Sequence, residues 1–231
     1  SFEVFPSYVA VGSSGTILTS SDGISWDNKS SGTSLNLSGV TYGNNKFMTM
    51  GSSGTTHTIL TSSNGTSWTS NSWTCSACSD NNSFNFSLND VTYGNSTFVA
   101  VGTSGTILTS SDGNSWTSRT SGTSDALLSI SYGNGVFVIV GGNGTILSST
   151  DGINWTSRNS GTSNLLIDVT YGDGKFVSVG RDGTIITSTD GTNWTNRTSG
   201  TSYDFIGITY GNNLFVAVGY SGTIVTSSNG T

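Results

Sequence analysis

The chain repeats itself every 39 residues, and that period limits what it can fold into more than any other feature. A five-residue apolar run ending in glycine recurs as YVAVG (8–12), FMTMG (47–51), FVAVG (98–102), FVIVG (137–141), FVSVG (176–180) and FVAVG (215–219). Four of the five intervals between the closing glycines are 39 residues, and the fifth is 51. The long interval holds two insertions. One adds three residues at SSGTTHT, between Gly51 and Ile59; the other adds nine between Trp68 and Val91. Trp26, Trp68, Trp116, Trp155 and Trp194 follow the same period once these insertions are removed. Units run approximately over 1–37, 38–88, 89–127, 128–166, 167–205 and 206–231, as one tandem domain covering 1–231.

Each unit reads as four short strands. In the third they are Leu88–Tyr93, Thr97–Val101, Gly105–Ser110 and Ser115–Arg119, separated by Gly94-Asn95, Gly102–Gly105 and Asp112-Gly113. Glycine next to Asn or Asp suits tight hairpins, because glycine accepts positive φ without steric cost. Composition agrees. Ser, Thr, Asn and Gly make up more than half of the 231 residues, while helix-favouring types are scarce. With 32% hydrophobic residues and a net charge of only -6, the chain can still bury a core. The expected fold is all-β: a β-propeller of about six four-stranded blades built from 39-residue repeats. A β-helix is the alternative, with shorter repeats and one strand per face. The ends are irregular. Phe2–Phe5 reads as the first strand of blade 1, or else Ser1-Phe2 continues Gly230-Thr231 across the ring.

The turn between the third and fourth strands reads SSDGISW (20–26), SSNGTSW (62–68), SSDGNSW (110–116), STDGINW (149–155), STDGTNW (188–194) and SSNGT (227–231). This resembles the Asp-box, or BNR repeat, of sialidases and related propellers, including the Ycf48-like proteins, over essentially the whole chain. It departs from the common S-x-D-x-G-x-T-W pattern by one residue fewer between Asp and Trp, and by Asn64 and Asn229 in place of Asp. The resemblance implies a propeller. It does not carry sialidase activity over, because that chemistry needs an arginine triad, a Tyr/Glu pair and an acid Asp. This chain has one Arg outside the repeated positions, Arg181, and one Glu, Glu3. The protein is expected not to be an enzyme, and no cofactor or metal is expected.

Positions that agree in every unit serve the blade; positions that differ are free for function. Tyr42, Tyr93, Tyr132, Tyr171 and Tyr210, the Phe that opens each second strand, and the turn Trp are assigned to packing. Lys29, Arg119, Arg158 and Arg197, three places after Trp, are assigned to discouraging pairing at the outer sheet edge. The turns between second and third strands and the loops between blades vary, and they share one face of the ring. Two clusters stand out there. Arg181, Asp182, Tyr203, Asp204 and Tyr220 lie around blades 5 and 6 and offer aromatic platforms with planar polar groups suited to a glycan, or else simply a solvated surface. His57 and Trp73, in the blade 2 insertions, form the secondary candidate. Cys75 and Cys78 are expected to form a local disulfide, with a zinc site that adds His57 and Asp80 as the alternative.

A pI near 4.3 with four Arg and three Lys argues against nucleic acid and anionic membranes. No apolar run approaches the length of a transmembrane helix, and no signal peptide is read. Two functions follow as expectations. One is an extracellular recognition module, glycan-binding or adhesive. The other is a structural propeller, a subunit or display domain of an extracellular or viral assembly. The expected partners are a glycan or cell-surface molecule, or copies of the chain itself. The expected location is extracellular or on a cell or virion surface.

Overall fold

Five consecutive hairpins show how the repeat folds. At Asn44-Asn45, Asn95-Ser96, Asn134-Gly135, Asp173-Gly174 and Asn212-Asn213 both turn residues have positive φ. This is the two-residue turn whose twist matches paired strands, and Asn or Asp leads it each time because those side chains tolerate the left-handed region best after glycine. A computed structural model describes residues 6–53, 56–74 and 87–230, and it builds from these hairpins a six-bladed β-propeller with essentially no helix. The three 3-10 turns, such as Ser13–Gly15, link second to third strands. No helix among the described residues is long and apolar enough to cross a membrane.

Among the described residues, blades 2 to 5 have four antiparallel strands, and blades 1 and 6 have three. Blade 3 consists of Leu88–Gly94, Thr97–Gly102, Ile107–Ser110 and Thr117–Arg119. These match the sequence expectation to within two residues at each end. Blade 1 begins at Tyr8–Val11, in the position of a second strand. Blade 6 ends at Ile224–Ser227, in the position of a third. The readings of Phe2–Phe5 and of closure through Ser1-Phe2 lie outside the described residues. In blade 2 the insertion between Gly51 and Ile59 lengthens the hairpin rather than the turn. Gly51 pairs with Thr58, Ser52 with His57 and Ser53 with Thr56, and the fourth strand runs alongside over Thr69–Thr74. Thr56 and Thr58 are β-branched and suit a pleated ladder, so extra length goes into pairing.

The first strands of successive blades lie side by side around the axis. Alternation along each strand gives every blade two apolar faces. Val99, Val101 and Ile107 of blade 3 meet Leu127, Ile130, Phe137, Ile139 and Leu147 of blade 4. Val138, Val140 and Ile146 of blade 4 meet Leu166, Val169, Phe176 and Ile186 of blade 5 in the same way. A tyrosine closes each of the four seams from blade 2 to blade 6. The rings of Tyr93, Tyr132, Tyr171 and Tyr210 lie flush on Gly43, Gly94, Gly133 and Gly172 of the preceding blade, where a Cβ would overlap the ring. Glycine is required there by close approach and not by φ.

The series stops at blade 6. No described residue lies within 4 Å of a Cβ built on Gly211, the equivalent glycine. Val218 and Ile224, equivalents of the buried Val101 and Ile107, are 40% and 67% exposed. Tyr8 and Trp26 of blade 1 are exposed as well. This asymmetry yields an internal control. Gly94→Ala should destabilise by about 1–3 kcal/mol through overpacking, whereas Gly211→Ala should stay within about 0.5 kcal/mol of wild type. Thermal unfolding of the two variants measures the difference, and equal effects would mean that the last seam is covered in solution.

Candidate functional site

Each Ser-x-Asp/Asn-Gly turn is a closed hydrogen-bond unit. In blade 4, Asp151 Oδ1 accepts the backbone N–H groups of Ile153 and Asn154 at 2.8 Å each, and Ser149 Oγ accepts that of Gly152 at 2.9 Å. The indole of Trp155 donates to the Gly152 carbonyl. These bonds hold the carboxyl of Asp151 well below the usual carboxylate range, and the same cause lowers Asp22, Asp112 and Asp190. With their oxygens already used by the turn, these residues stabilise local structure. The arginines of the fourth strands are also committed. Arg119, Arg158 and Arg197 donate from Nε to Thr109, Ser148 and Thr187 of the neighbouring strand, at 2.7–2.9 Å.

The variable face is built differently. The loops before blades 4 and 6 are each clamped between the turn of their own blade and the turn of the next. Before blade 6, Ser199 Oγ donates to the Thr201 carbonyl and Thr201 Oγ1 accepts from Tyr203 N–H, which curls the loop over Gly183. Gly183 has positive φ, and a side chain there would run into Thr201. Asp204 joins both turns: its Oδ1 accepts from Asp182 N–H at 2.9 Å, and its carbonyl accepts from Tyr220 N–H at 2.9 Å. Arg181 Nε lies 4.0 Å from Asp204 Oδ2 with its side chain 62% exposed, an ion pair of little energetic weight.

The structure therefore brings Arg181, Asp182, Tyr203, Asp204 and Tyr220 to one place, through backbone bonds. Tyr203 and Tyr220 are 53% and 61% exposed. Among the described residues no hydrogen bond is made by either phenol. The contrast with other blades is direct. Asp125, at the position of Tyr203, accepts from Asn143 and Thr145 at 2.8 and 2.7 Å, and Asn164 donates to Thr184 at 2.9 Å. In those loops the side chain is used internally; before blade 6 it is turned outward. A shallow polar depression of about 450 Å³ adjoins the cluster and is lined by Asp182, Thr184, Asn196, Arg197 and Thr201.

The secondary candidates fall elsewhere. His57 is buried at 1% exposure within the blade 2 sheet, and burial lowers its pKa. Trp73 is its register partner on the fourth strand. Cys75, Cys78 and Asp80 lie outside the described residues, and with them the disulfide and zinc readings.

A second polar constellation was not singled out in the sequence. At one position of the first strand, blades 2 to 6 carry Gly39, Asp90, Ser129, Asp168 and Gly207. Asp90 accepts from Ile130 N–H of the next blade at 2.9 Å, and Asp168 accepts from Ile208 N–H at 2.8 Å. Ser129 Oγ lies between the two carboxyls, 3.1 Å from Asp90 Oδ2 and 2.8 Å from Asp168 Oδ1. One hydroxyl proton cannot serve both contacts, so the geometry is satisfied when one carboxyl is protonated. Burial pushes Asp90 up to about 7, with the Asp168 charge adding to it, and burial raises Asp168 also. The signal was available, since this is a unit-variable position in an otherwise repeated strand.

The sign of the pH effect follows. Asp90 releases its proton near its ordinary value when unfolded and near 7 when folded, so stability is lost as pH rises from about 4 to about 7. The turn carboxylates act oppositely, and their contribution is lost as pH falls below about 4. Melting temperature should peak near about pH 4–5 and decline toward neutrality, and Asp90→Asn should flatten that decline. Ser129→Ala should cost about 1–3 kcal/mol by leaving buried oxygens unpaired. A wild-type profile flat between those limits would rule out the shared proton.

A model of the family described as the DUF6242 beta propeller domain matches residues 35–162, more than half of the chain. No curated protein matches the sequence significantly. Among solved structures, YCF48 bound to D1 peptide aligns with TM-score 0.71 at 18% identity, covering 96% of this chain and 74% of that one. YCF48 from Cyanidioschyzon merolae aligns with TM-score 0.71 at 16% identity, covering 98% and 81%. A chain of the nidogen/laminin complex aligns with TM-score 0.65 at 11% identity, covering 94% and 87%. At these identities the likeness is one of fold.

Proposed function

From a chain that belongs to the DUF6242 β-propeller domain family, we infer a non-enzymatic binding module that holds a polar polymer on the loop face of blades 5 and 6. The observation that carries this reading is the pair of exposed tyrosines beside Arg181, on a loop whose backbone is pinned into two blades. Rigid aromatic side chains give large contact area with little entropy to lose, and the exposed guanidinium of Arg181 supplies directional donors. Catalysis has no comparable support. The carboxyl pair that the structure brings together, Asp90 and Asp168, is buried and engaged with backbone N–H groups.

An extended polypeptide is the first choice of ligand. The similar YCF48 structure is one bound to a D1 peptide, and the face here offers the same kinds of group that peptide recognition uses. A glycan is the second reading, favoured by the two tyrosines as stacking platforms. The setting proposed is extracellular, or the surface of a cell or virion, in keeping with the acidic, Ser- and Thr-rich composition.

Peptide and glycan arrays, read at two salt concentrations, separate the ligands. For the hit that emerges, Tyr203→Ala and Tyr220→Ala should each weaken binding by about 1–3 kcal/mol with unchanged melting temperature. A ligand whose affinity survives both changes binds elsewhere.

A further inference from the structure

From blade 2 to blade 6, the hairpin between the first and second strands of one blade reaches over to the Ser-x-Asp/Asn-Gly turn of the next. The residue at the start of the second strand makes the contact. A Cβ built on the turn glycine would lie 3.9 Å from Lys46 at Gly113, 3.9 Å from Thr97 at Gly152, 3.2 Å from Val136 at Gly191 and 3.3 Å from Lys175 at Gly230. Three of these four seams also receive a donor from the hairpin. Lys46 Nζ donates to the Asp112 carbonyl at 2.9 Å, and Lys175 Nζ donates to the Asn229 carbonyl at 2.6 Å. Between blades 3 and 4, Asn95 Nδ2 donates to the Thr150 carbonyl at 3.3 Å.

The seam between blades 4 and 5 is the exception among the described residues. Val136 stands where the other seams have Lys46 and Lys175, Asn134 does not bond to the blade 5 turn, and the Asp190 carbonyl accepts no hydrogen bond. The same turn lacks its indole bond. Trp26, Trp68, Trp116 and Trp155 each donate to the carbonyl of their turn glycine, whereas Nε1 of Trp194 is buried without a partner. Val136 and Asp190 instead border a polar hollow of about 250 Å³, shared with Asp151, Asn154, Arg158 and Thr192. Its electrostatics favour a cation. Asp151 and Asp190 are both held ionised by their turns, against the one guanidinium of Arg158, whose Nε is engaged with Ser148. Valine ends where lysine continues through two methylenes to an ammonium, so the room and the acceptor that Lys46 uses in its own seam stay open here.

We propose that the rim between blades 4 and 5 binds a primary ammonium on an alkyl stem, the chemistry shared by a lysine side chain of a partner polypeptide and a free polyamine. The stem lies along Val136 and Gly191, as Lys46 lies along Gly113, and the ammonium donates to the Asp190 carbonyl. The two carboxylates, whose oxygens serve their own turns, contribute field and not contact. A compact ammonium suits a single carbonyl better than a guanidinium does, because the planar fork of a guanidinium matches paired acceptors. A cationic ligand also suits a chain of net charge -6. The site lies at the opposite ends of the strands from Tyr203 and Tyr220, and it does not depend on what binds there.

The test is a titration of the whole isotope-labelled protein, followed through the amide resonances of Asp190, Gly191 and Thr192. The probes are N-acetyl-lysine methylamide, cadaverine and, as an uncharged counterpart, N-acetyl-norleucine methylamide. Saturable shifts centred on that seam are expected with both amines, and the norleucine probe should bind about tenfold more weakly or worse. Tighter binding of the lysine amide identifies a polypeptide as the source of the ammonium, and tighter binding of cadaverine a polyamine. Val136→Lys should abolish binding by placing the chain's own ammonium on the Asp190 carbonyl, whereas Val136→Thr, the residue that blade 3 carries, should retain it. Asp190→Asn keeps a turn of the kind that Asn64 forms and should weaken both amines about threefold by removing one charge. The Tyr203→Ala/Tyr220→Ala double variant should bind as wild type does. The proposal is overturned by shifts that do not saturate, by equal binding of the norleucine probe, by undiminished binding to a folded Val136→Lys variant, or by loss of binding in the double tyrosine variant.

Discussion

Burial of one blade against the next is the interaction on which everything else in this protein depends. A single four-stranded blade has two apolar faces and no interior of its own. Val99, Val101 and Ile107 are dry because Leu127, Phe137 and Leu147 of the next blade pack against them. Stability is therefore a property of seams. The tyrosine that lies flush on a glycine of the preceding blade sets how closely two sheets approach. The repetition of this contact at four seams is the reason that the repeat tolerates so little variation at either position.

That constraint also explains where the molecule is free to differ. The turns between second and third strands and the loops between blades are tied by backbone bonds, such as Gly105 N–H to the Asp125 carbonyl and Tyr220 N–H to the Asp204 carbonyl. Backbone clamps leave side chains unconstrained. Where Asp125 and Asn164 spend theirs on the turn of the next blade, Tyr203 presents a ring to solvent. The central position of the first strand is variable for another reason. It faces its equivalents around the axis, so each choice is coupled to those on both sides, and the Asp90–Ser129–Asp168 bridge requires all three.

Much of this was legible in the sequence. Strand boundaries in blade 3 and the Asn- and Asp-led turns follow from local steric preferences, which act within a few residues. The clustering of Arg181, Asp182, Tyr203, Asp204 and Tyr220 followed from repeat arithmetic, since equivalent positions must share a face. His57 was less legible. Its surroundings looked like a longer surface turn, whereas pairing of Ser52, Ser53, Thr56 and Thr58 draws it into a sheet and buries it. Extra residues lengthen a turn or a ladder according to whether partner strands extend alongside, and the partner here is Thr69–Thr74, beyond the next turn.

The sequence by itself determined the blade. Period, turn chemistry and alternation are local quantities, and each is written several times over in the same chain. Tertiary structure decided what happens where repetition breaks. Whether a valine is buried or exposed, as in Val101 and Val218, depends on the presence of a neighbouring sheet, which no property of the residue or its unit encodes. The same holds for the hydroxyl bridge at Ser129, which arises between units from atoms about 39 residues apart along the chain that only the arc of blades brings within contact.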